Sequence, residues 1–134
     1  MRSTQHQLHW QALLMLAFLL CAPFSTGKAR GFLSTIGDVP LAEGLQELAE
    51  GGFVFDKPEG RIVQITAARS ADISQAALVS FYSKSLPNLG WQAQQGAQAQ
   101  SGLLTFARHG EILRLTFSGD LLIFDLIPKS VSQP

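Results

Sequence analysis

Cysteine, charge and long apolar runs are all scarce in this chain. Its 134 residues hold one cysteine, Cys21, so no internal disulfide framework can form. Charged residues are 15% of the total, where a soluble domain ordinarily carries about 25%. Ten basic residues balance ten acidic ones, and zero net charge without a basic stripe argues against a nucleic-acid binder. The chain contains no Walker loop, GxGxxG, HExxH, CxxC or GxSxG, so the common signatures of phosphate, zinc and serine-nucleophile chemistry are missing. The length allows one domain and hardly two.

The apolar residues that give the chain its positive mean hydropathy of +0.17 are unevenly spread. Arg2, His6 and His9 precede an uncharged run of 11 residues from Ala12 to Ala22. A spanning helix needs about 17–25 residues, whereas the apolar core of an export signal has about 7–15. Pro23 ends the run, and Ser25, Thr26, Gly27 and Ala29 are small. Gly27 and Ala29 frame Lys28 as small residues frame a cleavage site, which places the cut after Ala29, with Gly27 as the next choice. The competing reading is an uncleaved anchor built on residues 10–24. Cys21 follows Phe18-Leu19-Leu20 rather than the small residue that lipidation requires, so it reads as one more apolar member of the run.

Removal of residues 1–29 leaves a chain of 105 residues with 8 basic and 10 acidic side chains, a net charge of −2, and no thiol. Such a chain still buries roughly 60–68% of its unfolded surface. It needs no reducing compartment. The expected address is periplasmic or secreted.

Residues 30–51 carry Gly31, Gly37, Pro40, Gly44 and Gly51 and read as an extended lead-in. One helical turn is expected at 45–49, where Leu41, Leu45 and Leu48 follow helical spacing. The domain proper runs from 52 to 128, and 129–134 is a tail. Residues 52–56 and 61–69 form a hairpin about a Lys57-Pro58-Glu59-Gly60 turn. Val63, Ile65 and Ala67 share one face of its second strand.

A helix is predicted over 72–86, capped by Asp72 with Gln75 completing a box. Leu78, Phe81, Tyr82, Leu86 and Leu89 make its apolar stripe, and Pro87 stops it. Short strands follow at 91–94, 103–108, 111–117 and 121–127. A low-complexity loop at 95–102, a tight His109-Gly110 turn and a Ser118-Gly119-Asp120 turn join them. Short links imply an antiparallel sheet. The fold class is therefore α+β: a two-layer antiparallel sheet in the order ββαββββ with one helix packed on a face. Strand 121–127 is apolar on both faces except at Asp125, so the second face of the meander is expected to be covered or partnered.

The candidate chemistry is thin. His109, the one histidine outside the leader, sits in a turn, where a solvated residue is the natural reading and a metal ligand or triad member the alternative. Asp56, Lys57, Glu59 and Arg61 cluster on the first hairpin, as a recognition knob, an acid/base pair or simply a solubilised turn. Asp125 in an apolar strand calls for a partner, and Arg114 or Arg108 across the meander would supply one. An edge-facing, solvated carboxylate and a catalytic acid are the other readings of Asp125. Phe81, Tyr82 and Trp91 fit either a core cluster or the floor of an apolar ligand site. No cofactor and no metal site is expected.

Two segments carry a resemblance. VFDKPEGRIV (54–63) and FYSKSLPNLGW (81–91) together resemble a group of small bacterial exported, periplasmic proteins that share a VFDKPxGRIV hairpin and an FYxxxLPxLGW helix end. The resemblance covers roughly residues 38–128. It implies an envelope setting and carries over no catalytic residue.

Three functions compete on these grounds. One is a non-enzymatic envelope binding module that meets a protein partner through an open sheet edge or an apolar sheet face. A second is a carrier of small apolar, lipid-like ligands near Phe81, Tyr82 and Trp91. A third is a minor hydrolase built on Asp125, Asp56 or His109. Membrane attachment enters only if the leader stays uncleaved.

Overall fold

A computed structural model describes residues 29–94 and 102–129. Residues 1–28, which hold Cys21 and all but the last residue of the expected leader, most of the 95–102 loop and residues 130–134 of the tail lie outside the described residues, whereas Ala29, the expected last leader residue, opens β1. The described chain is α+β, mostly antiparallel sheet with one helix. It runs β1 (Ala29–Phe32), β2 (Pro40–Ala42), β3 (Leu45–Glu47), β4 (Phe53–Lys57), β5 (Gly60–Arg69), α1 (Gln75–Asn88), β6 (Gln92–Ala93), β7 (Leu103–Arg108), β8 (Glu111–Ser118) and β9 (Leu121–Pro128). β1 and β2 pair with each other. The other seven strands form one sheet, in which β5, β9, β8, β7 and β6 lie side by side in that order. β3 and β4 lie end to end along the free side of β5.

Strand alternation sorts the side chains. Val63, Ile65 and Ala67 of β5 align with Leu126, Phe124 and Leu122 of β9, which in turn oppose Leu113, Leu115 and Phe117 of β8. Leu104 and Phe106 of β7 continue the same face. Apart from half-buried Phe117, these residues are buried, and they form the core with Leu78, Tyr82 and Leu86 of α1. Each large apolar side chain so removed from water contributes about 1.5–3 kcal/mol. The helical stripe holds at Leu78, Tyr82 and Leu86, with Phe81 half-buried and Ser80, Ser83 and Lys84 on the wet side, but Leu89, expected to continue it, is the C-cap and is exposed.

The ends of α1 differ from the sequence reading. Ser74, not Asp72, is the N-cap, and its hydroxyl accepts from the Ala77 amide at 3.1 Å. Exposed Asp72 lies ahead of the helix, and a hydrogen bond from the Ser70 side chain holds its carboxyl below the usual range. Pro87 sits inside the last turn rather than ending the helix at 86. A proline there removes only one late hydrogen bond, to a carbonyl of exposed Ser83 that water can satisfy.

The lead-in departs most from expectation. Leu45–Glu47 is a strand, paired with Ala67–Arg69, where a helical turn was expected. A single turn over the five residues 45–49 is too short to repay helix nucleation, while the end of the long β5 offers ready backbone partners. Leu33, Ile36, Val39, Ala42 and Leu45 all enter the core, so this segment is structural rather than an appendage.

The turns follow local chemistry. His109 and Gly110 both have positive φ, 46° and 82°, as a two-residue hairpin of the Asn-Gly kind requires.

Candidate interaction surface

Every residue of β4 is exposed, although the strand pairs with β5 over its whole length. Phe53, Val54 and Phe55 are 52%, 52% and 56% exposed. The Leu48 amide donates to the Thr66 carbonyl at 2.8 Å, which shows that even-numbered residues of β5 turn their backbone groups toward this edge. Phe53, Phe55 and Lys57 face Gln64, Ile62 and Gly60 in register, so their backbone groups are spent on β5. By alternation, Val54 and Asp56 direct their N–H and C=O groups away from the sheet. β4 is thus an edge strand with three apolar side chains and an open row of donors and acceptors.

Phe53 and Phe55 belong to the second sheet face, opposite the helix. Ile62 of β5, Ile112 of β8, and Ile123 and Ile127 of β9 share that face and are half-buried. Thr66 alone is well covered there, because the β3–β4 connection crosses it and the Thr66 hydroxyl donates to the Gly51 carbonyl at 2.7 Å. Among the described residues the remainder of this face is open.

Asp125 sits in the middle of this face and is half-buried. Its Oδ1 accepts from the Gln64 side-chain amide at 2.8 Å. Arg114 is its register partner on β8, yet the ion pairs among the described residues are Arg61–Glu111, Arg69–Asp120 and Arg108–Asp38. The carboxylate is therefore satisfied from the β5 side by a neutral amide, not by the arginine pair expected from the meander.

The hairpin cluster also regroups. Asp56 faces Arg61 in register, but the Arg61 guanidinium reaches Glu111 of β8 at 3.7 Å and the Thr35 carbonyl at 3.5 Å. Lys57 leans over the Phe55 ring, its Nζ 5.9 Å from the centroid. His109 lines an open cleft of about 290 Å³ with Arg108, Glu111 and Lys129. Asp56 on β4, Asp125 on the second face and His109 in its turn occupy three separate places.

The aromatic trio is mostly structural in position. Tyr82 and Trp91 are buried, and Phe81 packs against the core. Phe81 meets Tyr82 edge-on at 5.0 Å, and Tyr82 meets Phe124 at 5.6 Å. Burial drives the Tyr82 phenol strongly upward from its ordinary pKa of 10.0. Trp91 lies beneath Arg108, whose guanidinium is 4.2 Å from the indole centroid. Arg108 also donates to the Leu89 carbonyl at 3.0 Å and pairs with Asp38.

From the sequence Arg108 stands out only as a partner for Asp125, and Phe53 and Phe55 read as ordinary strand residues. The usable signal was the Lys57-Pro58 step, since lysine and proline mark strands at sheet edges. Among the described residues no group of three His, Cys, Asp or Glu side chains is placed to hold a metal ion. No helix there is long and apolar enough to cross a membrane. No protein-family model matches the chain, and neither the curated proteins nor the solved structures contain a match to it.

Proposed function

We propose that this protein is an exported, non-enzymatic interaction module of the cell envelope that uses β4 and the adjoining sheet face as its contact surface. The observation that carries the reading is the exposure of Phe53, Val54 and Phe55 in a well-paired edge strand. Exposed aromatics next to free backbone groups suit strand addition, in which main-chain bonds supply affinity and alternate side chains supply selectivity. The two-layer arrangement supports it, since the helix and lead-in occupy one face and leave the other to a partner. The leader at 1–29 and the resemblance of segments 54–63 and 81–91 supply the envelope setting.

The test is site-specific photocrosslinking in living cells. A benzophenone side chain replaces Phe53 in one strain and Ser83, on the wet side of α1, in another. The expected result is a discrete covalent adduct from position 53 and none from position 83. Equal labelling at both positions, or none at either, overturns the reading.

A further inference from the structure

We infer that the β4 edge pairs with β4 of a second copy of this chain, in antiparallel register about a two-fold axis at Phe55. The inference rests on the proposed role of β4 as the contact surface and names its occupant. A two-fold axis makes every contact reciprocal, so the strand must complement itself.

Three registers use the outward groups of Val54 and Asp56. An axis at Asp56 sets two like carboxylates face to face, and it asks Pro58, which has no N–H, to serve Val54 of the other copy. An axis at Val54 runs the second strand past Phe53 onto Gly51 and Gly52, outside the strand limits of Phe53–Lys57. An axis at Phe55 matches the five residues of β4 end to end. Val54 then exchanges backbone bonds with Asp56 of the second copy, and Asp56 with its Val54.

The side chains agree with that register. Phe53, Phe55 and Lys57 lie on one face, and antiparallel pairing sets Phe55 against Phe55 and Lys57 against Phe53. Lys57 already sits over an aromatic ring of its own strand, so its ammonium has a second ring to meet without a like charge nearby. The lysine that would ordinarily blunt this edge becomes part of the contact. The second sheet faces of the two copies, with Ile62, Ile112, Ile123 and Ile127, join into one surface across the new strand pair.

The test exploits the fact that Cys21 is the chain's one cysteine. The two Phe55 residues would form a non-hydrogen-bonded pair, with Cα atoms about 4.5 Å apart, within the range a disulfide spans. Two Val54 residues would lie two positions out of register and too far apart. Phe55→Cys and Val54→Cys are each expressed in the full chain carrying Cys21→Ser, so that the new thiol is the only one, beside the Cys21→Ser parent, and oxidised mildly. A disulfide-linked dimer from Phe55→Cys alone is expected. In sedimentation equilibrium the wild-type protein should dimerise with concentration, and Phe55→Asp should remain monomeric. A monomeric wild type, or no more disulfide from position 55 than from position 54, overturns the self-pairing. If a photocrosslinker at Phe53 still captures a different protein, the contact-surface reading stands while self-pairing falls. If it captures nothing, both fall.

Discussion

The Tyr82 hydroxyl donates to the Pro40 carbonyl at 2.9 Å and accepts from the Ala42 amide at 3.4 Å, which fastens α1 to β2 in the core. Both backbone groups lie next to buried Ala42 and lose their partner in Tyr82→Phe. The ring still packs against Phe81 and Phe124. The expected cost is about 1–3 kcal/mol, the penalty for leaving buried polar groups unsatisfied. Urea unfolding checks it, and an unchanged midpoint refutes the fastening role.

The same phenol links stability to pH. Burial raises its folded pKa well above the unfolded value of 10.0. Below pH 10 the group is neutral in both states and stability is indifferent to it. Above that, the unfolded state ionises and the folded state does not, so stability is lost by about 1.4 kcal/mol per pH unit as pH rises. Tyr82 is the only tyrosine in the chain, so phenolate absorbance reads it alone. The native protein should show no phenolate until it unfolds, and Tyr82→Phe should lose this part of the alkaline slope.

Arg108 joins three segments by stacking on Trp91, pairing with Asp38 of the lead-in and donating to Leu89 at the exit of α1. Lysine cannot reproduce a flat guanidinium that stacks and donates in two directions. Arg108→Lys should therefore cost on the order of 1–2 kcal/mol. A double-mutant cycle with Asp38→Ala should show coupling of about 0.5–1 kcal/mol, kept small because Asp38 is partly exposed. Thermal unfolding of the four proteins measures both quantities.

His109 holds a left-handed backbone in an exposed turn. Asparagine tolerates that conformation and β-branched residues do not. His109→Asn should be neutral or slightly stabilising, whereas His109→Val should cost about 1–2 kcal/mol. If both substitutions are neutral in stability but abolish a cellular phenotype, the histidine has a chemical role and the turn reading fails.

Local chemistry was the legible part of this sequence. The His109-Gly110 turn, the Leu78–Tyr82–Leu86 stripe and the alternation of β5 each follow from a few adjacent residues. Failures cluster where a distant strand decides. Leu41, Leu45 and Leu48 carry helical spacing, yet β5 captures Leu45–Glu47 because its edge lies open there. Of the two arginines offered as partners for Asp125, Arg114 stands opposite it and Arg108 does not, but the group that binds it is Gln64, 61 residues away on the other flanking strand. The same blindness hid the candidate site. Phe53-Val54-Phe55 reads as a strand from sequence, but only the sheet order shows that nothing pairs beyond it among the described residues.

Gly52 controls whether that edge exists. A Cβ at Gly52 would stand 2.5 Å from the Gln64 carbonyl oxygen, with the Ile65 backbone behind it. The obstacle is backbone inside the sheet, so it cannot swing aside as a side-chain end would. Gly52→Ala should therefore pull β4 away from β5 at the Phe53–Gln64 end while the core beneath α1 stays intact. Hydrogen exchange should speed up at Phe53 and Phe55, whose amides β5 holds, with little change at Phe124 and Leu126 in β9. Any contact made along β4 should weaken with it. Undiminished protection at Phe53 and Phe55 would mean that the strand absorbs the methyl group, and β4 would then be more adaptable than its pairing indicates.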